Sequence, residues 1–388
     1  MTRIRIDPAR LPVESRELRQ EVRDFLQREA DRGVFVPNEP THPATDPTRF
    51  ARDCGAAGWI GMTWPRQYGG QERSFLDRYV VTEEMLAAEA PTGRFFTADR
   101  QSGPLLIKYG SERLKSMLLP GIVAGELSFC IGMSEANSGS DLFAAQARAT
   151  PVAEGWMLNG AKLWTSSAHF SDYMIGLFRT ALATAENRRH GLTQFVIPMG
   201  LPGITVNPIM HMSGEHRFNE VVFDGVVVPH DHVLGSVDDA WKQATAELVY
   251  ERSGPERFLA HFHLLPALID HLGADLGLRE AEGIGRLTAQ LHTIRRMSIA
   301  VNSMIAAGEE PTVEGSLVKE LGTLWQQSLA ERARELSGPR ADRVVERTED
   351  ALFRRRLDAA LVTAPQITIQ GGTTEVLRGI IARGLGLR

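Results

Sequence analysis

The chain is poor in the residues that mark several common classes of protein. It has 2 cysteines among 388 residues, Cys54 and Cys130. That excludes a disulfide framework and leads us to expect a reducing, cytoplasmic setting. No apolar run approaches the roughly 20 residues of a membrane span, so none is expected. The first residues, MTRIRIDPARLPVESRELRQ, carry no apolar core and do not read as a signal peptide. There is no basic excess: the formal net charge is −5, which argues against a nucleic-acid binder. Lysine is scarce, with 5 lysines against 38 arginines, a skew we assign to a GC-rich genome and not to chemistry. Absent too are a GxSxG nucleophile elbow, a GxxxxGK[ST] phosphate loop and the GxGxxG dinucleotide fingerprint. What is present is ordinary globular composition, 43% hydrophobic and 23% charged, with length enough for two or three domains.

Three stretches differ in period. Residues 1–127 read as helical. Leu18, Val22, Phe25 and Leu26 fall on one face of a helix over Ser15–Ala30. The proline-rich PNEPTHPATDPTRF that follows is expected to be loop. Asp77–Glu89 and Pro104–Leu119 read as helices, the latter broken at Gly110. Residues 128–238 carry short β-branched or aromatic segments, WMLNGAKLW, YMIGLF, TQFVIP, ITVN and NEVVFDGVVVP, which predict a small antiparallel barrel or sandwich. Residues 239–388 return to helical period over Trp241–Arg252, Phe258–Leu278, Gly283–Ala307 and Gly315–Leu336, a four-helix bundle. Pro255 is placed at the start of the second of these helices and Pro266 inside it, as a kink. The fold class is α+β, with a β domain between two helical ones.

Several constellations can carry chemistry, each with a bland alternative. Gly132-Met133-Ser134-Glu135-Ala136-Asn137-Ser138-Gly139-Ser140-Asp141 leaves a strand and turns; its small residues can converge N–H groups on an anion, or form a plain polar loop. Trp164-Thr165-Ser166-Ser167 can pack and hydrogen-bond a flat heterocycle, or be a core tryptophan with solvated serines. Glu247 and Glu251 share a helix face, either as general base or as solvated charges. Gln370-Gly371-Gly372-Thr373 is a ligand-facing turn or the loop before a last helix. His230, Asp231 and His232 lack a second cluster, so no metal site is expected. The two cysteines read as buried small hydrophobes.

The order of these pieces resembles the acyl-CoA dehydrogenase family over nearly the whole chain. FCIGMSEANSGSD is similar to the family loop in which Thr-Glu-Pro-Gly-Ala-Gly-Ser-Asp is usual. GWMLNGAKLWTSSAHFSDYMIGLFRT matches its next strand pair, and FNEVVFDGVVVPHDHVLG its last strand of the middle domain. The resemblance implies FAD, an acyl-CoA thioester substrate, α,β-dehydrogenation and an external electron acceptor protein. By motif, Met133, Ser134, Gly139, Ser140, Trp164, Ser166 and Thr373 take the flavin-contacting positions.

The catalytic base departs from the common pattern. Most members carry a Tyr-Glu-Gly-Thr turn, whereas here Gly371 stands at the glutamate's place. The isovaleryl-CoA and long-chain branches place the base on a middle helix, followed by arginine, which matches Glu251-Arg252. The resemblance therefore implies Glu251 as base, the Gly371 N–H as oxyanion donor and Arg252 in substrate binding. Two further motifs are missing. GLREAEGIGRLTAQL lacks the Arg-x-x-Phe-Gly that reaches a neighbour's FAD diphosphate, and ARELSGPRADRVV replaces a Gly-Gly-x-Gly segment. Arg279 or Arg286 can stand in for the missing arginine. Otherwise the chain is expected to form a hetero-oligomer, a dimer or tetramer with a related chain that keeps the clamp, as in some steroid-degrading bacterial members. The expected substrate is a branched or sterol-derived acyl-CoA. A flavin oxidase or monooxygenase on the same fold, and a non-catalytic partner subunit, remain the alternatives.

Overall fold

The computed structural model describes residues 4–387 apart from 38, 40, 41, 185, 186, 188, 189, 241, 242, 244–251 and 339–347. Glu247 and Glu251, with most of the expected helix Trp241–Arg252, lie outside the described residues. The chain forms two compact units. One comprises Met1–Gln27, Phe75–Ala90 and Val249–Arg388, and the other Arg28–Ser74 and Pro91–Leu248. Among the described residues, no helix is long and apolar enough to cross a membrane.

The first unit is helical. Most of α1 (Ser15–Asp31) belongs to it, and Leu18, Val22, Phe25 and Leu26 are buried, as their spacing predicts. The helix α3 (Phe75–Ala87) lies beside it, where Arg19 pairs with Glu83 and Glu84 and Arg295 grips Glu83 at 2.6 Å. Among the described residues its further helices are α7 (Glu256–Leu259), α8 (Leu264–Leu272), α9 (Leu278–Ala306), α10 (Thr312–Ser337), α11 (Thr348–Thr363) and α12 (Thr374–Gly384). Phe258, Leu265, Leu268, Leu287, Ile294, Trp325, Leu329, Phe353 and Leu357 fill the core of the bundle.

The expected kink at Pro266 is not found. The break falls before it, at 260–263, and Pro266 occupies the first turn of α8, where its missing N–H needs no partner. Gly273 ends that helix at φ 77°, so the predicted run to Leu278 is cut. The helix α11 was not legible in the sequence.

In the second unit, α2 (Pro47–Ala56) begins inside the segment expected to be loop. Pro47 takes the first helical position, and Asp46 caps it by accepting from the N–H groups of Thr48 and Arg49 at 3.1 and 3.0 Å. The helices α4 (Gly93–Thr97), α5 (Gly103–Tyr109) and α6 (Glu112–Val123) follow, with the expected break at Gly110.

The strands β1 (Phe129–Gly132), β2 (Arg148–Val152), β3 (Gly155–Lys162), β4 (Tyr173–Arg179), β5 (Leu192–Pro198), β6 (Ile204–Met210), β7 (His216–Val228) and β8 (Val233–Leu234) form one eight-stranded sheet. Its order is β6-β7-β3-β2-β4-β5-β8, with β1 attached to β4. The pairing is mainly antiparallel, but β4 pairs in parallel with β1 and, at one register, with β2. The β4 sequence YMIGLFR is buried along almost its whole length, as fits a central strand, while β7 alternates. Leu158, Met174, Phe178, Phe195, Ile197, Val221, Phe223 and Val226 make its core.

Candidate active site

On the sheet unit, the chain leaves β1 at Met133. This residue packs against Ala145, Leu177 and Leu192, and its sulfur accepts from Gln194 Nε2 at 3.8 Å. The Ser134 carbonyl accepts from the Leu163 N–H at 2.8 Å. Glu135 and Ser138 then close a tight turn, exchanging backbone hydrogen bonds of 2.7 and 3.2 Å. Beyond the turn Gly139 and Ser140 are exposed, with open space where a Gly139 Cβ would lie.

An ion pair that the sequence did not disclose holds this loop. The Glu135 carboxylate accepts from Lys162 Nζ at 2.7 Å and from the N–H groups of Gln146 and Ala147 at 2.7 and 3.1 Å. Lys162 is fully buried at the end of β3, with its ammonium 4.8 Å from the centre of the Phe178 ring. Burial lowers the lysine's affinity for its proton, and Glu135 opposes that effect. The scarcity of lysine was the available signal. Of the 5 in the chain, Lys162 and Lys319 are 0% exposed, at places where a compact ammonium fits.

Two residues past Lys162 the backbone reverses. Trp164 and Ser167 take φ of 61° and 63°, a left-handed conformation that costs a non-glycine residue roughly 1–2 kcal/mol. The consequence is that Thr165 turns inward, 1% exposed, while Trp164 is 57% exposed and Ser166 is exposed beside it. The indole meets the Phe218 ring edge-on at 6.1 Å. The core-tryptophan alternative is therefore overturned. Asn219 holds the turn: Thr165 and Asn219 exchange backbone hydrogen bonds of 2.9 and 3.0 Å, and Asn219 Nδ2 adds a third to the Thr165 carbonyl at 2.9 Å.

On the helical unit, Arg252 is 2% exposed. Its Nε donates to the Gly371 carbonyl at 2.9 Å, and Nη1 reaches Ser316 Oγ at 3.4 Å. Gly371 and Gly372 have φ of 72° and 107°, which glycine adopts without strain. A Cβ on Gly372 would lie 3.1 Å from Arg252 Nη2. Lys319 donates to the carbonyls of Ile367 and Thr368 at 3.0 and 3.2 Å, fastening the approach to this turn onto α10. The Gly372 N–H goes to Ile369 O at 3.2 Å, whereas the Gly371 N–H meets no acceptor among the described residues. Thr373 caps α12, with its side chain accepting from the Val376 N–H at 3.3 Å.

The remaining candidates disperse. His232 is buried against the Val196 carbonyl at 2.8 Å, Asp231 pairs with Arg113 at 2.9 Å, and His230 packs edge-on to Trp156. Cys54 and Cys130 are buried thiols, and burial pushes Cys130 up to about 12. Arg286 pairs with Glu282 at 2.8 Å, and Arg279 reaches the Glu335 carbonyl at 3.4 Å.

Comparison with known proteins assigns the chain to a family. The N-terminal, middle and C-terminal domain profiles of acyl-CoA dehydrogenases match residues 12–126, 130–226 and 273–386. The chain is 30% identical to acyl-CoA dehydrogenase IpdE1 of Mycobacterium tuberculosis over 96% of this chain and 97% of that one. It belongs to the acyl-CoA dehydrogenase family. It matches FadE34 of the same organism at 28% identity, over 85% of this chain but 45% of the larger protein. Isovaleryl-CoA dehydrogenase of Pongo abelii is 30% identical over 70% of this chain and 64% of that one. Among solved structures, the Tcur3481-Tcur3483 steroid acyl-CoA dehydrogenase superposes with a TM-score of 0.84, at 26% identity over 98% of this chain and 99% of that one. A chain of the ChsE4-ChsE5 complex from Mycobacterium tuberculosis gives 0.83 at 25% identity, over 98% and 99%.

Proposed function

We propose that this acyl-CoA dehydrogenase uses FAD to desaturate a branched or sterol-derived acyl-CoA between its α and β carbons, in a cytoplasmic setting. The observation that carries the reading is the Trp164–Ser166 turn. It spends backbone strain to present a ring and a hydroxyl outward, an arrangement that fits the edge of a flat heterocycle. The neighbouring loop fits the same cofactor. The Glu135–Lys162 pair fixes it from below, leaving Gly139 and Ser140 open for an anionic group such as a diphosphate. Met133 and Ser134 complete the contacts at the loop's start, and Thr373 takes a flavin position by its motif. Domain limits at 127/128 and 238/239 belong to this reading.

Bound FAD supplies the acceptor for the hydride that leaves the β carbon. The residues of this chain do the rest. Glu251 takes the α proton as general base, and the electron pair of that C–H bond becomes the new double bond as the β hydride departs. The Gly371 N–H donates to the thioester oxygen, where negative charge grows as the proton leaves. Arg252 serves substrate binding through the turn it holds. With its guanidinium on the Gly371 carbonyl, Arg252 fixes the Gly371–Gly372 peptide, the unit that directly follows the Gly371 N–H.

Loss of the diphosphate-clamp motifs supports assembly with a related chain that retains them. The names Tcur3481-Tcur3483 and ChsE4-ChsE5 each pair two different chains, which favours the same arrangement here. Glu251→Gln tests the catalytic assignment. We expect it to keep flavin and to lower the rate of flavin reduction by substrate about 10²–10⁴-fold, the usual range for a general base. Reduction at the native rate removes Glu251 from the role. The flavin-to-chain ratio of the chain purified alone tests the assembly: near zero supports a partner's clamp, and near one refutes it.

A further inference from the structure

The residue that grips the Trp164 turn is itself held by two histidines. Asn219 is fully buried in β7. Its Oδ1 accepts from His216 Nε2 at 2.7 Å, and its Nδ2 lies 3.3 Å from His169 Nδ1 while donating to the Thr165 carbonyl. The carbonyl is only an acceptor, so the orientation of the amide is settled: Nδ2 faces Thr165 and His169, and Oδ1 faces His216. His169 therefore presents a lone pair at Nδ1 and keeps its proton on Nε2, and His216 donates from Nε2. The two imidazoles stack with centroids 3.9 Å apart, an arrangement that disfavours charging both.

We propose that Asn219 is a positioning residue for the Trp164–Ser166 turn, and that the His169–His216 pair makes its grip pH-sensitive, firm at neutral pH and released in acid. A proton on His169 Nδ1 sets N–H against N–H across the 3.3 Å contact. Asn219 then has two options. Nδ2 can draw away from His169, disturbing its bond to Thr165, or the amide can rotate and set Oδ1 against the Thr165 carbonyl. Either loosens the backbone between Trp164 and Ser166.

His169 is exposed, so solvent protons reach it directly, and it lines a cavity of about 690 Å³ with Asp172, Tyr173, Met199 and Val206. The charged groups around the pair are engaged elsewhere. On β7, Arg217 pairs with Glu215 at 3.3 Å and Glu220 accepts from Asn207 at 3.0 Å. Asp172 accepts from Ser128 Oγ at 2.6 Å and lies 3.6 Å from Arg94. The strand β6 brings no titratable side chain. Burial and the facing His216 both act to keep His169 neutral.

The consequence for catalysis rests on the flavin reading above, but the device does not, so it is tested without flavin. The full chain is labelled with fluorotryptophan, and the Trp164 fluorine resonance is identified by its loss in Trp164→Phe. Between about pH 8 and pH 5, this resonance should move in one transition below the ordinary histidine range. His169→Gln, which offers an amide oxygen to Asn219 Nδ2 and does not titrate, should abolish the transition. Asn219→Asp should shift it above the ordinary histidine range, because a carboxylate accepts from a protonated His169. A Trp164 resonance that stays fixed, or a transition that survives His169→Gln, overturns the proposal. Should either variant fold poorly, the other decides. If the flavin reading fails, the fluorine transition persists in a chain that binds no flavin.

Discussion

Replacing Glu135 with glutamine should show how much the loop depends on its buried ion pair. The change leaves the Lys162 ammonium, 0% exposed, without the carboxylate 2.7 Å away, and weakens the acceptor for the Gln146 and Ala147 N–H groups. Breaking a buried pair from one side costs about 3–5 kcal/mol, because a charge stays in the interior uncompensated. For a unit of this size, each kcal/mol lowers Tm by roughly 2–4 °C, so the sheet unit should melt on the order of 6–20 °C lower.

The loss has a pH signature. Burial already lowers the proton affinity of Lys162 in the fold, and removing Glu135 lowers it further. A lysine whose folded pKa lies below its unfolded value of about 10.4 penalises the fold fully at every pH below the folded value. The penalty fades as pH rises through the folded value toward the unfolded one. The deficit of Glu135→Gln should therefore shrink toward alkaline pH, and adding Lys162→Met should recover much of it by removing the orphaned charge. Urea unfolding across pH, with hydrogen exchange at the Gln146 and Ala147 amides, measures both effects. A deficit below about 1 kcal/mol, or one that does not change with pH, would refute the reasoning.

Two further substitutions probe the parts that position the site. Lys319→Met should leave the Ile367 and Thr368 carbonyls without their buried donor, costing about 1–3 kcal/mol for each group left unpaired. It should also speed hydrogen exchange at the Gly372 N–H, and unchanged exchange there would detach Lys319 from the Gly371 turn. Asp46→Ala removes the cap of α2, accepting at 3.0 and 3.1 Å, and should cost about 0.5–2 kcal/mol by urea unfolding. A neutral result would mean that Pro47 alone starts the helix.

Several features were legible because their causes are local. The face made by Leu18, Val22, Phe25 and Leu26 follows from helical period, and the buried β4 from its unbroken apolar run. The break at Gly371-Gly372 follows from glycine's freedom at positive φ, whereas Gly110 keeps an ordinary φ of −69° and serves by its size, a Cβ there lying 2.6 Å from the Leu106 carbonyl oxygen. The proline segment was read too broadly for an equally local reason. A proline that closes a loop also suits the first turn of a helix, and Asp46 decided which. Pro266 shows the same ambiguity: proline near a helix start and proline inside a helix differ only in where the preceding turn ends.

By its own pattern, then, the sequence determined the alternation of helix, sheet and helix, and the identity of the three turns expected to face a ligand. It did not determine how those turns are held. Lys162 meets Glu135 across 27 residues, Asn219 meets Thr165 across 54, Lys319 meets Ile367 across 48 and Arg252 meets Gly371 across 119. Period and propensity describe neighbours along the chain. Whether a charge or an amide is buried, and which partner then satisfies it, depends on what folding removes from water, so only the tertiary structure could decide it.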